Sequence, residues 1–322
     1  MFKVSIPGSL MLFGEHAVIQ GKMAVVTAID ARLQVILTPN NNNNNKVIIR
    51  SSIENCELDL QKIQQDLDLK LANTSLTYVL ACIKYLNQQS PIVTGFDLDI
   101  IDGNLKPSAG FGSSAAVVVG VLLVINKFLS LDINQDTIFK QAINIVHIIQ
   151  DGFGSGADIA ASIYGGIIAY QNFIPQKIVP KKLDLIAIYC GYKTKTSDVI
   201  KIINNKIQEN IDYKNLYNYI FASMDDCSRL AIDAIEQENL DVIGKLMNIA
   251  HGLMSGLGIV DNNLDRLATT LRSQSSIYGS KVSGAGLGDC IIGLGFLDNK
   301  HNKIFTEQQF VLTTSPQGVI WL

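Results

Sequence analysis

The stretch Pro107-Ser108-Ala109-Gly110-Phe111-Gly112-Ser113-Ser114-Ala115-Ala116 constrains this chain more than any other. Two glycines and two serines close a polar loop, and an apolar run from Ala115 to Leu123 follows at once. Gly110 and Gly112 allow left-handed backbone and close approach to a ligand. Ser113 or Ser114 is a natural N-cap, and the run behind it predicts a buried helix. The first amides of such a helix precede its internal hydrogen bonds, and its dipole favours anions there. Pro107, Gly110, Gly112, Ser113, Ser114 and Ala115 therefore form a candidate phosphate cradle. No lysine follows the last glycine, so this is not the Walker pattern. The plain alternative is a tight turn ahead of a capped core helix, which one such loop does not exclude.

Two further glycine clusters weigh against turns alone. Gly152-Phe153-Gly154-Ser155-Gly156-Ala157-Asp158 delivers one carboxylate to the start of a small-residue helix. An acid there is ordinary first-turn chemistry, and equally a candidate catalytic carboxylate. Gly279–Cys290, with Ser283, Gly284 and Ala285, is expected as a third glycine-rich loop, followed by a strand over Ile291–Gly295.

With a net charge of −3 and a pI near 5.8, the chain offers no broad basic surface for nucleic acid. Phosphate would be held by local amides and a metal. The five cysteines are scattered, without CxxC spacing, and His16, His147, His251 and His301 are dispersed, so neither a disulfide framework nor a zinc site is expected. The opening residues lack a secretory pattern, and Ala115–Ile125 is too short to span a bilayer. These features predict a cytoplasmic enzyme with no membrane partner.

Periodicity predicts a strand at Lys3–Ile6 turning at Pro7-Gly8, and an apolar Leu10–Phe13 ending at Gly14-Glu15-His16. Met23–Ile29 and Leu33–Leu37 read as paired strands joined around Ile29–Arg32. Asn40–Asn45 reads as a solvated hairpin tip before a strand at Lys46–Ser51. Helices are expected over Thr74–Leu86, Gln135–Ile149, Ser197–Ile207, Tyr213–Ile235, Leu240–Leu253 and Leu264–Leu271. Strands are expected over Gly95–Ile101, Gly165–Tyr170, Leu183–Tyr189 and Gly318–Leu322. Strands and helices cluster without regular alternation, which predicts an α+β fold. The segment after about Asn172 reads as a second domain, which divides the chain into 1–172, carrying the nucleotide and substrate loops, and 173–322.

In order, Pro7-Gly8 with Gly14-Glu15-His16-Ala17-Val18, then Pro107–Ala116, then Lys281–Cys290 resemble the three signature motifs of the GHMP kinase superfamily. The resemblance runs on through Gly154–Gly166 and covers most of the chain. It implies a two-domain fold, with an N-terminal ribosomal-protein-S5-like domain and a C-terminal ferredoxin-like α/β sandwich. It implies ATP and Mg²⁺ as cofactors, and ATP with a small-molecule substrate as partners; a homodimer is compatible with it. Pro107–Ala116 would wrap the ATP phosphates, with Ser114 matching the Mg²⁺-ligating serine. Asp158 matches the catalytic base. Glu15, His16 and the Ser283-Gly284-Ala285 loop would lie near substrate.

The Gly-Glu-His-Ala-Val string is similar to the mevalonate kinase branch, which transfers the γ-phosphate of ATP to the 5-hydroxyl of mevalonate. Gly288-Asp289-Cys290, Gly156–Ala161 and Lys193-Thr194-Lys195-Thr196-Ser197 resemble the phosphomevalonate kinase branch. A kinase of another small hydroxy acid, or an impaired nucleotide-binding sensor, is the further alternative. Two positions depart from the pattern. Ser9 stands where the first motif carries lysine, and His147 stands where mevalonate kinases carry a second Mg²⁺-ligating glutamate. Neutral imidazole is a poor ligand for hard Mg²⁺. Lys193 or Lys195 is a candidate for the missing cation, against a plain role in surface solvation.

Overall fold

The structure is a computed structural model describing residues 1–40, 45–61, 63, 75–106, 109–150, 152–178, 182–297 and 304–322. The expectations for Pro107, Ser108, His301, Thr74 and residues 41–44 fall outside the described residues.

Two sheets organise the chain. The first contains β1 (Phe2–Phe13), β2 (Ala24–Pro39), β3 (Lys46–Arg50), β4 (Cys56–Asp59), β5 (Phe96–Ile101), β6 (Ile167–Gln171), β7 (Ile174–Ile178) and β12 (Ile320–Trp321). Its main path is β12-β1-β2-β5-β3-β4, with β6 pairing β2 and β7 pairing β6. The second runs β11-β8-β10-β9, from β8 (Asp184–Tyr189), β9 (Ile277–Ser283), β10 (Cys290–Gly295) and β11 (Gln309–Thr313). Asn172 thus sits in a turn between two strands of the first sheet, and Ile320 returns to pair with Ser5 of β1.

Helices Thr77–Gln89, Ser113–Phe128, Gln135–Ile149 and Ala157–Tyr164 pack with the first sheet. The Ser113–Phe128 helix is its spine, with Ala116, Val118, Val119, Val121, Leu122 and Val124 fully buried. Helices Thr196–Glu209, Ile211–Glu236, Leu240–Gly256 and Asn262–Arg272 follow β8 and precede β9. The last contributes Leu264, Leu267, Ala268 and Leu271 to a second apolar cluster, with Ile186, Ile188 and Ile291 from the second sheet.

Three local expectations are corrected. β1 does not turn at Pro7-Gly8; it runs straight through, with a bulge between Pro7 and Ser9. Proline lacks the donor for a ladder bond, and a bulge is where a strand tolerates it. β2 is one strand and not a hairpin. Asp30 accepts from Thr313 N at 3.0 Å, and the Arg32 guanidinium reaches Ser5 Oγ and the Gly318 carbonyl at 2.9 and 2.6 Å. Those partners absorb the polar residues that look like a turn. Finally, β3 pairs with β5 and β4, so it is not the hairpin partner of β2 across the asparagines.

Candidate active site

The three glycine clusters meet where β1 crosses the start of the Ser113–Phe128 helix. Gly112 precedes that helix with a left-handed φ of 63°, so it is the cap, and neither serine has the N-cap position. The amides of Ser113, Ser114 and Ala115 come before the first helical hydrogen bond, from Ala116 N to the Gly112 carbonyl at 3.1 Å. Ser114 is exposed beside them. This is the donor-rich, positive end expected of an anion site.

Ser9 ties that tip to the carboxylate. Its amide donates to the Phe111 carbonyl at 3.0 Å, and its hydroxyl donates to Asp158 Oδ1 at 2.7 Å. A Cβ on Gly112 would lie 1.9 Å from the Ser9 hydroxyl oxygen. Gly156, at φ 79°, starts the short helix that carries Asp158. Burial pushes the Asp158 carboxyl above its ordinary range, while the Ser9 hydrogen bond and Lys193 pull it back. A carboxylate shifted this way is suited to accept a proton near neutral pH.

The third cluster is shorter than expected, because β9 continues through Ser283. Ser280 donates to the Ala268 carbonyl at 2.7 Å, and the Lys281 ammonium is buried against the Glu15 carboxylate, so polar residues here sit inside a strand. What remains of the loop, Gly284–Asp289, faces Gly110. A Cβ on Gly110 would approach Asp289 Oδ1 to 3.0 Å, and one on Gly284 would approach Oδ2 to 2.9 Å. Cys290 Sγ donates to the Ala109 carbonyl at 2.8 Å, joining the second sheet to the phosphate loop.

Glu15 and His16 are placed but already engaged. Burial raises the Glu15 carboxyl and Lys281 opposes this; Oε2 has no hydrogen-bond partner among the described residues. The His16 ring, at φ 59°, donates from Nε2 to the Ala285 carbonyl at 2.7 Å, and burial lowers its basicity. Ser283 turns its hydroxyl to the Met11 carbonyl at 2.9 Å. His147 bonds the Gly154 carbonyl at 2.9 Å through Nε2, so its imidazole orders the second glycine cluster. Among the described residues no group of three or more His, Cys, Asp or Glu is arranged to hold a metal. The donor set fits a Mg²⁺ held mainly by phosphate oxygens, with the Ser114 hydroxyl as protein ligand.

Sequence reasoning missed a cleft beside Ser113 and Ser114. It is lined by Ser51, Ile53, Tyr78, Val79, Asp102 and Val117 among others. Its walls come from β5, the segment after β3 and two helices, so no contiguous motif announces it. It also missed Ser9 as the partner of Asp158, and Asp289, whose signal was a lone acid among small residues.

A fold of two sheets with three convergent glycine clusters and the Asp158 carboxylate at their meeting point is that of a small-molecule phosphotransferase. The chain belongs to the GHMP kinase family: residues 77–166 match the GHMP kinases N terminal domain and 231–306 the GHMP kinases C terminal. It is 30% identical over 299 residues to the mevalonate kinase of Saccharolobus solfataricus, covering 91% of this chain and 89% of that protein. The crystal structure of Methanococcus jannaschii mevalonate kinase superposes with a TM-score of 0.80 at 25% identity, over 97% of this chain and 98% of that one. Streptococcus pneumoniae phosphomevalonate kinase, in complex with phosphomevalonate and AMPPNP, shares the fold at TM-score 0.76 and 19% identity, over 97% and 100%. No helix among the described residues is long and apolar enough to cross a membrane.

Proposed function

We propose that this GHMP kinase transfers the γ-phosphate of ATP to the 5-hydroxyl of mevalonate. The observation that carries the reading is the Ser9–Asp158 hydrogen bond of 2.7 Å, laid against the glycine cap of the phosphate helix. It supports a carboxylate, and the donors that hold a triphosphate, converging on one point.

The ATP phosphates lie along Gly110–Ala115, where amides and helix dipole offset their charge. The nucleobase enters the cleft lined by Ile53, Tyr78 and Val117. Asp158 accepts the proton of the acceptor hydroxyl as its oxygen bonds to phosphorus and the bond to the ADP oxygen breaks. Most of the catalysis is positioning and charge stabilisation. The Ser9 hydroxyl fixes the carboxylate rotamer and favours its ionised form. The Ser114 hydroxyl and the ATP phosphates would hold Mg²⁺, which would supply charge neutralisation. Glu15, packed on Lys281, and the Ala285 loop, bound by His16, shape the wall where the acceptor lies. The enzyme acts in the cytoplasm.

A coupled ADP-release assay with mevalonate, phosphomevalonate, homoserine and galactose tests this. Turnover confined to mevalonate is the expected result. Preference for phosphomevalonate would move the chain to the sister activity, and ATP binding without turnover of any acceptor would favour a sensor.

A further inference from the structure

We propose that Lys193 is the cation of the phosphoryl-transfer centre, delivered from the second sheet, and that Asp289 is the positioning residue that aims it at the transferring phosphate. The proposal rests on the kinase reading above.

The segment after β8 is clamped to the third glycine loop. Asp289 N donates to the Tyr192 carbonyl at 3.0 Å, Cys190 N donates to the Asp289 carbonyl at 3.1 Å, and Thr194 Oγ1 donates to the Leu287 carbonyl at 2.5 Å. Gly288 makes the clamp possible: at φ 142°, a Cβ there would stand 2.8 Å from Lys193 Cα. Lys193 therefore leaves a fixed stretch of backbone. Its Nζ lies 3.2 Å from Asp289 Oδ1, and that carboxylate is wedged between Gly110 of the phosphate loop and Gly284.

Exposure separates this pair from an ordinary surface ion pair, whose contribution is small. Asp289 is 5% exposed, whereas the Lys193 side chain is 47% exposed. The acid is a buried anchor and the lysine side chain is half-exposed, its ammonium having more donors than one carboxylate oxygen takes. Lys193 also acts electrostatically on Asp158, lowering its proton affinity, with Asp289 opposing. Lys281, the fully buried lysine at this junction, is turned onto Glu15. The phosphate loop, the acid and the cation thus come from different elements and meet where the second sheet packs against Gly110.

The test uses the full chain. Lys193→Met should lower kcat by ~10²–10³-fold, the size expected on losing a fixed electrostatic group, while KM for ATP moves less than about threefold. Lys193→Arg should recover part of the loss, and Asp289→Asn should lower kcat about tenfold without a comparable change in KM. Lys201→Met, at an exposed lysine of the Thr196–Glu209 helix, should leave turnover unchanged. An activity-independent arm uses ¹³C reductive methylation, with the Lys193 signal assigned by its absence in Lys193→Arg. That signal should move on addition of a non-hydrolysable ATP analogue with Mg²⁺. A Lys193→Met enzyme within about threefold of the parent kcat, or a stationary Lys193 signal, overturns the proposal. Absence of mevalonate turnover by the parent would instead overturn the acceptor assignment, and the methyl signal would still decide the role of Lys193.

Discussion

The Ser9 hydroxyl donates to Asp158 Oδ1 at 2.7 Å across 149 positions of sequence. Because Ser9 also takes the Phe111 carbonyl through its amide, one residue of β1 fixes the acid and the phosphate loop together. Ser9→Ala removes the hydrogen bond that stabilises the ionised form. The acid limb of the kcat/KM pH profile should move to higher pH, and kcat should fall about tenfold, the equivalent of one charge-assisted hydrogen bond. A pH–rate profile of both proteins checks this.

Asp158→Asn should reduce kcat by ~10²–10⁴-fold, because no carboxylate is left to take the proton. The melting temperature should hold or rise. Burial raises the folded-state proton affinity of Asp158, so its ionised form opposes folding at every pH above the unfolded carboxylate range. That penalty is absent at low pH, grows as pH rises through the unfolded value and levels off above the folded one. Parallel thermal melts and initial rates at neutral pH measure both effects.

Several features were legible in the sequence and several were not. Glycine spacing located the Asp158 helix and the Ser113–Phe128 helix, because left-handed residues at Gly112 and Gly156 are a local demand of those turns. Long-range pairing was invisible. Asp30 and Arg32 look like a turn until Thr313, Ser5 and Gly318 supply their partners. Lys281 looks like a loop residue until Glu15, 266 positions away, neutralises it inside β9. Pro7-Gly8 misleads for the same reason: a bulge is a property of the pair β1–β2, not of either strand.

Glu15→Gln should destabilise the protein by about 3–5 kcal/mol, because it leaves the Lys281 charge buried without its counterion. Glu15→Gln combined with Lys281→Met should recover much of the loss. Urea unfolding of the single and double variants gives the comparison.

Gly112→Ala should cost about 1–3 kcal/mol for a left-handed non-glycine residue and also displace Ser9, whose hydroxyl lies 1.9 Å from the added carbon. Rate should fall more than stability alone explains. Kinetics measured well below the melting temperature separate the two contributions.

Val117→Phe should narrow the cleft beside Ser113 and Ser114 and raise KM for ATP about tenfold, with KM for the acceptor little changed. Bisubstrate kinetics distinguishes this from a general loss of folding.

Ile320 and Trp321 pair with Ser5 and Val4, the strand segment that leads directly into Ser9. During synthesis that flank of β1 emerges long before its neighbour and waits for more than three hundred further residues until it arrives. Until then it is an open template for any extended chain nearby. Newborn copies stalled before residue 320 should therefore be the species most prone to cling to one another, or to a chaperone.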